Sequence, residues 1–175
     1  MSSLKRIAIV GPESTGKSEL AAQLAREFET EWVPEYARFF IDRLSRPYEE
    51  SDLLEIAKGQ LAWEDDKASY ASKFLFCDTN LIVIKIWSEH KYGKTDPWIE
   101  TQLSERSYDF YLLSAIDLPW RPDPQREHPD KRSYFFDVYK QYLIDRQLPF
   151  AIVTGEEEDR LQSAITALQN NKILY

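Results

Sequence analysis

Ile7-Ala8-Ile9-Val10-Gly11-Pro12-Glu13-Ser14-Thr15-Gly16-Lys17-Ser18 is an apolar run that passes directly into a glycine-bearing loop ending in lysine and serine. The first four residues are β-branched or small and show no polar alternation, as in a parallel strand buried on both faces. Beyond the loop, Leu20, Ala21, Leu24, Ala25 and Phe28 form one stripe at helical spacing, so a helix opens straight out of it. Working outward, short apolar runs at 31–33, 74–77, 110–113 and 150–153 predict four more strands, each separated by enough chain for a crossover. Helical patterns cover 36–44, 52–72, 80–92 and 131–147, and a last one places Leu161, Ala164, Ile165 and Leu168 at i, i+3, i+4, i+7. The pattern predicts an α/β fold of three layers: a five-stranded, doubly wound parallel sheet with helices on both faces. Pro119, Pro122, Pro124 and Pro129 bar helix and central strand, so 117–130 is expected to be a long loop within the domain.

Composition narrows the function classes. At 175 residues the chain has room for one domain, 1–175, and 43% hydrophobic residues suffice for a core. A net charge of −8 without a basic stripe argues against nucleic acid as a partner. Cys77 is the single cysteine, which excludes an internal disulfide and multi-cysteine metal sites. The longest clean apolar run, 81–84, is too short to span a membrane, and the polar start Met1-Ser2-Ser3 is no signal peptide. These features predict a cytoplasmic location with no membrane partner.

Residues 11–18 satisfy G-x-x-x-x-G-K-[ST] between a strand and a helix, the context that gives this pattern its meaning. Gly11 and Gly16 allow backbone angles and close approach that a β-carbon would block, so successive N–H groups can face phosphate oxygens. Pro12 has no N–H, which leaves the cradle to the backbone of Glu13, Ser14, Thr15, Gly16, Lys17 and Ser18, with Glu19 in the first helical turn. Lys17 would reach the β and γ phosphates, Ser18 would ligate Mg²⁺, and the helix N-terminus would add favourable potential.

Ligands of open α/β sheets lie beyond the carboxyl ends of the strands, so polar residues just after each apolar run are the next candidates. Asp78 follows Phe74-Leu75-Phe76-Cys77, where a carboxylate can act on the loop's Mg²⁺ directly or through water; its alternative role, with Thr79 and Asn80, is to cap the next helix. Glu35 follows Val33-Pro34, with Arg38 three residues on. At that position a carboxylate can orient an acceptor hydroxyl and take its proton, and the alternative is a surface Glu–Arg pair. In the proline-rich loop, Arg121 and Arg126 are candidates for a lid that closes over the transferred phosphoryl group; the alternative is a solvated loop. His90 and His128 read as surface residues, and Trp63, Trp87 and the tyrosines of 134–142 as packing. The guanine-reading pattern Asn-Lys-x-Asp is absent.

Taken in order, Gly11 to Ser18, Glu35-Tyr36-Ala37-Arg38, Gly59-Gln60, Phe76-Cys77-Asp78-Thr79, Tyr92-Gly93-Lys94 through Pro97, and Trp120 with Asp123 and Arg126 resemble the ribosylnicotinamide kinase domain of NadR-type proteins, a group of P-loop ATPases. The resemblance implies a P-loop NTPase of nucleoside-monophosphate-kinase-like fold that uses ATP and Mg²⁺ to phosphorylate the 5′-hydroxyl of nicotinamide riboside. It also strengthens catalytic roles for Glu35, Asp78 and Arg126, which join Lys17 and Arg121 as the catalytic candidates. Glu35, Tyr36, Arg38, Asp78, Trp120 and Asp123 would contact the nucleoside, and Ser18 and Asp78 the metal. Tyr36, Trp98 and Trp120 are candidates to stack on a base. Bifunctional members often carry tryptophan before their Glu-Tyr, where this chain has Pro34. The length predicts a stand-alone kinase module, without the nucleotidylyltransferase or DNA-binding segments of those proteins. Another branch of the group is regulatory, which implies an alternative: a nucleotide-gated module with no small-molecule acceptor, or a kinase of another nucleoside.

Overall fold

A computed structural model describes residues 3–174; the polar start at Met1 and Ser2 lies outside the described residues. In chain order the elements are β1 (Lys5–Val10), α1 (Lys17–Glu27), β2 (Glu31–Val33), α2 (Tyr36–Ile41), α3 (Glu50–Ala68), β3 (Phe74–Asp78), α4 (Leu81–Tyr92), α5 (Pro97–Glu105), β4 (Phe110–Ser114), α6 (Arg132–Asp145), β5 (Phe150–Val153) and α7 (Glu157–Asn170). All strand pairs are parallel, in the order β2-β3-β1-β4-β5. The five-stranded α/β sheet is thus the one expected from the apolar runs.

Alternation along the strands builds two cores. Ile7 and Ile9 of β1, Phe74 and Phe76 of β3 and Leu112 of β4 face α1 and α7, whose Leu20, Leu24, Leu161 and Leu168 complete that layer. Ala8 and Val10, Leu75 and Cys77, and Leu113 face the opposite way, onto Ile82 and Ile86 of α4 and Tyr139 and Leu143 of α6. A third cluster joins α2, α3, α4 and α5 through Ala37, Ile56, Leu81 and Ile99. Burial on both faces removes the need for polar alternation, which is why β1, β3 and β4 read as unbroken apolar runs.

Two differences from the sequence expectations have local causes. No element was expected between 92 and 110, yet α5 forms there, with Pro97 in its first turn and the Asp96 side chain accepting the Trp98 N–H at 2.8 Å. Nine residues with one fully buried side chain, Ile99, present too short an apolar stripe to show as periodicity. α2 stops at Ile41 and α3 begins at Glu50, its start fixed by a capping box between Glu49 and Asp52.

Because β1 lies between β3 and β4, the chain leaves it on one side and returns on the other. A crevice opens at the carboxyl ends of β1, β3 and β4, and the glycine-bearing loop runs through it.

Candidate active site

Gly11 follows β1 with φ +136°, and a β-carbon there would stand 3.0 Å from the Ser114 carbonyl oxygen at the end of β4. Gly16 has φ +75° at the start of α1. Both are conformations that L side chains rarely adopt. Between them, the Thr15 hydroxyl donates to the Pro12 carbonyl at 2.8 Å, and Lys17 Nζ donates to the same oxygen at 2.6 Å. The lysine is therefore folded over its own loop.

Three carboxyl groups act on Lys17. Burial pushes its pKa down, while Glu35, Asp78 and Glu13 pull it back up. Glu35, at the N-cap of α2, is pushed up to about 7 by burial and by the charge of Asp78, against Lys17 and Arg38. Asp78, at the end of β3, is 1% exposed, and burial raises its pKa against the hydrogen bond from Ser18 and the charge of Lys17. Ser18 Oγ donates to Asp78 Oδ2, and Asp78 Oδ1 is buried without a partner among the described residues. The capping alternative for Asp78 falls to Asn80, whose Oδ1 accepts the Ile82 N–H at 3.1 Å. A hydroxyl and a carboxylate oxygen with spare acceptor capacity form a hard oxygen donor set, which fits Mg²⁺.

A cavity of about 620 Å³ runs along the glycine-bearing loop and past it. Its lining includes Gly16, Glu19, Leu118, Pro119, Glu156 and Glu157, and also Glu35, Arg38, Trp87, His128, Phe135 and Tyr139. All the loop residues expected to hold nucleotide, Gly11 and Glu13 to Glu19, line this cavity, as do Arg121 and Arg126.

The remaining candidates are placed around it. Arg38 Nη1 pairs with Asp123 Oδ2 at 2.9 Å, tying α2 to the proline-rich loop. Trp120 does not wall the cavity; the Arg126 and Arg132 guanidinium groups stand 6.0 and 5.8 Å from its ring centroid. Tyr36 is also absent from the wall. Its N–H donates to Gln60 Oε1 at 2.9 Å, and its ring lies against Gly59 and packs edge-on to Trp63 with centroids 4.8 Å apart. Trp98 packs in the third core cluster. The cavity is instead lined by Trp87 and Tyr139, which the sequence assigned to packing, by His128, which it assigned to the surface, and by Phe135. They come from α4, α6 and the loop end, and periodicity cannot tell an aromatic residue facing a cavity from one facing a core. Pro34 puts no aromatic ring directly ahead of Glu35, and these rings line the same cavity as Glu35.

A family model described as an AAA domain matches residues 6–160. The chain belongs to this AAA-domain family. The AAA-domain chain is 29% identical over 164 residues to the trifunctional NAD biosynthesis/regulator protein NadR of Escherichia coli (strain K12), covering 89% of this chain and 40% of that protein. It therefore spans less than half the length of the curated relatives it matches. Among solved structures, NadR protein in complex with NR has a TM-score of 0.78 at 19% identity, over 95% of this chain and 50% of that one. NadR protein in complex with NAD and AMP-PNP has a TM-score of 0.77 at 20% identity, over 95% of this chain and 49% of the other. These likenesses establish the P-loop fold of the AAA-domain chain, in keeping with the resemblance carried by its motifs. No helix among the described residues is long and apolar enough to cross a membrane.

Proposed function

We propose that the chain is an ATP- and Mg²⁺-dependent kinase that transfers a phosphoryl group to the 5′-hydroxyl of a small nucleoside, with nicotinamide riboside as the first choice. One observation carries this: the cavity of about 620 Å³ along the phosphate loop is also lined by Glu35 and Arg38 of the α2 start, Trp87 of α4, and Phe135 and Tyr139 of α6. A nucleotide switch needs no such room beside the terminal phosphate, whereas a kinase needs it for the acceptor. The similarity to NadR, solved with NR in one case and with NAD and AMP-PNP in another, favours a nucleoside beside Glu35 and a triphosphate in the loop.

The loop amides and Lys17 hold the terminal phosphates and stabilise the charge that spreads over the transferred group. Ser18 and Asp78 would hold Mg²⁺, which would supply neutralising charge to the phosphates. Glu35 accepts the hydrogen bond of the nucleoside hydroxyl, orients it for in-line attack and takes its proton, a contribution of about 10²- to 10⁴-fold. Its raised pKa of about 7 suits a base that works near neutral pH. Arg121 and Arg126 cover the equatorial oxygens from the loop above. ADP release with ATP, Mg²⁺ and a panel of nucleosides tests the proposal. Acceptor-stimulated turnover, abolished in a folded Lys17→Ala variant, is the expected result. Turnover indifferent to every acceptor would favour the regulatory alternative.

A further inference from the structure

A phosphate cradle uses the backbone of Glu13 and Ser14, yet their side chains are both engaged elsewhere. The Glu13 carboxylate accepts the Glu127 N–H, at 3.2 Å to each oxygen, and the His128 N–H at 3.1 Å. Ser14 Oγ accepts the Arg121 N–H at 2.9 Å. Arg132 Nη1 donates to the carbonyls of Ser14 and Leu118, at 3.2 and 2.7 Å. Two adjacent residues of the phosphate loop thus hold 118–128 at Arg121 and at its end, and Arg132 bridges Ser14 to its start. The same segment is tied to the acceptor side by Arg38–Asp123 and by Gln125 Nε2, which donates to the Arg38 carbonyl at 3.3 Å. An anion at position 13 repels a triphosphate, a cost that glycine or serine would not incur. What the carboxylate supplies in return is charge-assisted acceptance of two backbone amides.

We propose that Glu13 is a positioning residue: it latches the 117–130 loop over the phosphate site and thereby holds Arg126, which lies just before the latched amides, against the transferred group. This rests on the kinase reading. With the latch open, water competes with the nucleoside. A water oxygen then bonds to the γ-phosphorus, the bond to the β–γ bridging oxygen breaks, and ADP, inorganic phosphate and a proton leave without nucleoside being consumed.

Amide hydrogen exchange on the full chain without nucleotide, resolved by NMR, reads the latch alone. Glu13→Ala should speed exchange at Glu127 and His128 by about tenfold or more, while Glu13→Gln, whose amide oxygen still accepts, stays within about threefold. Unchanged β1 and β3 amides report an intact fold, and Arg132→Ala should loosen the loop from its other end. With ATP, Mg²⁺ and nicotinamide riboside, Glu13→Ala should lower kcat for transfer more than it raises either KM. It should also raise the ratio of ADP formed to nucleoside phosphorylated by about tenfold, and Glu13→Gln should restore the ratio. Unaltered exchange in Glu13→Ala, or an unaltered ratio, overturns the proposal. A wild-type chain that exchanges as expected yet phosphorylates no nucleoside sinks the kinase reading and leaves the latch as a purely structural contact.

Discussion

Gly59→Ala sets two effects of similar size against each other. In a helix interior alanine is favoured over glycine by about 1 kcal/mol, so α3 alone would gain. A β-carbon at position 59, however, would lie 2.0 Å from Tyr36 Cε1 and 2.2 Å from Cζ, well inside contact distance. The ring has little freedom to retreat, because Phe39 stands 5.4 Å and Trp63 4.8 Å away between centroids. Overpacking of this kind costs about 1–3 kcal/mol, and a caged ring places the cost in the upper part of that range. The net expectation is a loss of about 1–2 kcal/mol, a fall in Tm of roughly 2–8 °C for a domain of this size. Thermal and urea melts followed by circular dichroism measure it. In a Tyr36→Ala background the obstacle is gone, and the same substitution should become stabilising by about 1 kcal/mol. A Gly59→Ala chain that melts at or above wild type would refute the placement of Tyr36, and with it the packing that sets α2 and Glu35 at the crevice.

Glu35 with a pKa near 7 works as a base when ionised, so kcat/KM for nucleoside phosphorylation should rise about tenfold per pH unit below pH 7 and level off above it. Glu35→Gln should remove this limb and lower the rate by about 10²- to 10⁴-fold, and a profile flat from about pH 6 to 8 would exclude Glu35 as the base. Asp78→Asn and Ser18→Ala should each raise the Mg²⁺ concentration for half-maximal activity by about tenfold or more. Because burial opposes the charge of Asp78, Asp78→Asn should melt no lower than wild type, which a melt alongside the Mg²⁺ titration checks.

The fold was legible because its signals are local. Ile7 to Val10, Phe74 to Cys77 and Phe110 to Leu113 are apolar without interruption, and only strands buried on both sides tolerate that. The glycine loop is likewise local, since its motif, preceding strand and following helix all fall within two dozen residues. α5 escaped notice because its helical character lies in a cap and a proline rather than in a stripe.

The site was legible in proportion to how much of it hangs on strand ends. Glu35 and Asp78 stand where a parallel strand stops, a position that topology alone carries into the crevice. Tyr36 is one residue further on, past the start of α2, and the helical turn directs its ring away from the cavity onto Gly59. The cavity's aromatic walls depend on how α4 and α6 are rotated, and that is settled by packing against Ala8, Val10 and Leu113, far away in sequence. The tie between Glu13 and the amides of Glu127 and His128 bridges more than a hundred residues and uses backbone donors that every non-proline residue possesses. Residue identity at 127 and 128 therefore holds no trace of the contact. Its single sequence-level sign is an anion inside a loop built for anions, a local conflict of the kind that marks a side chain bound to something other than the ligand.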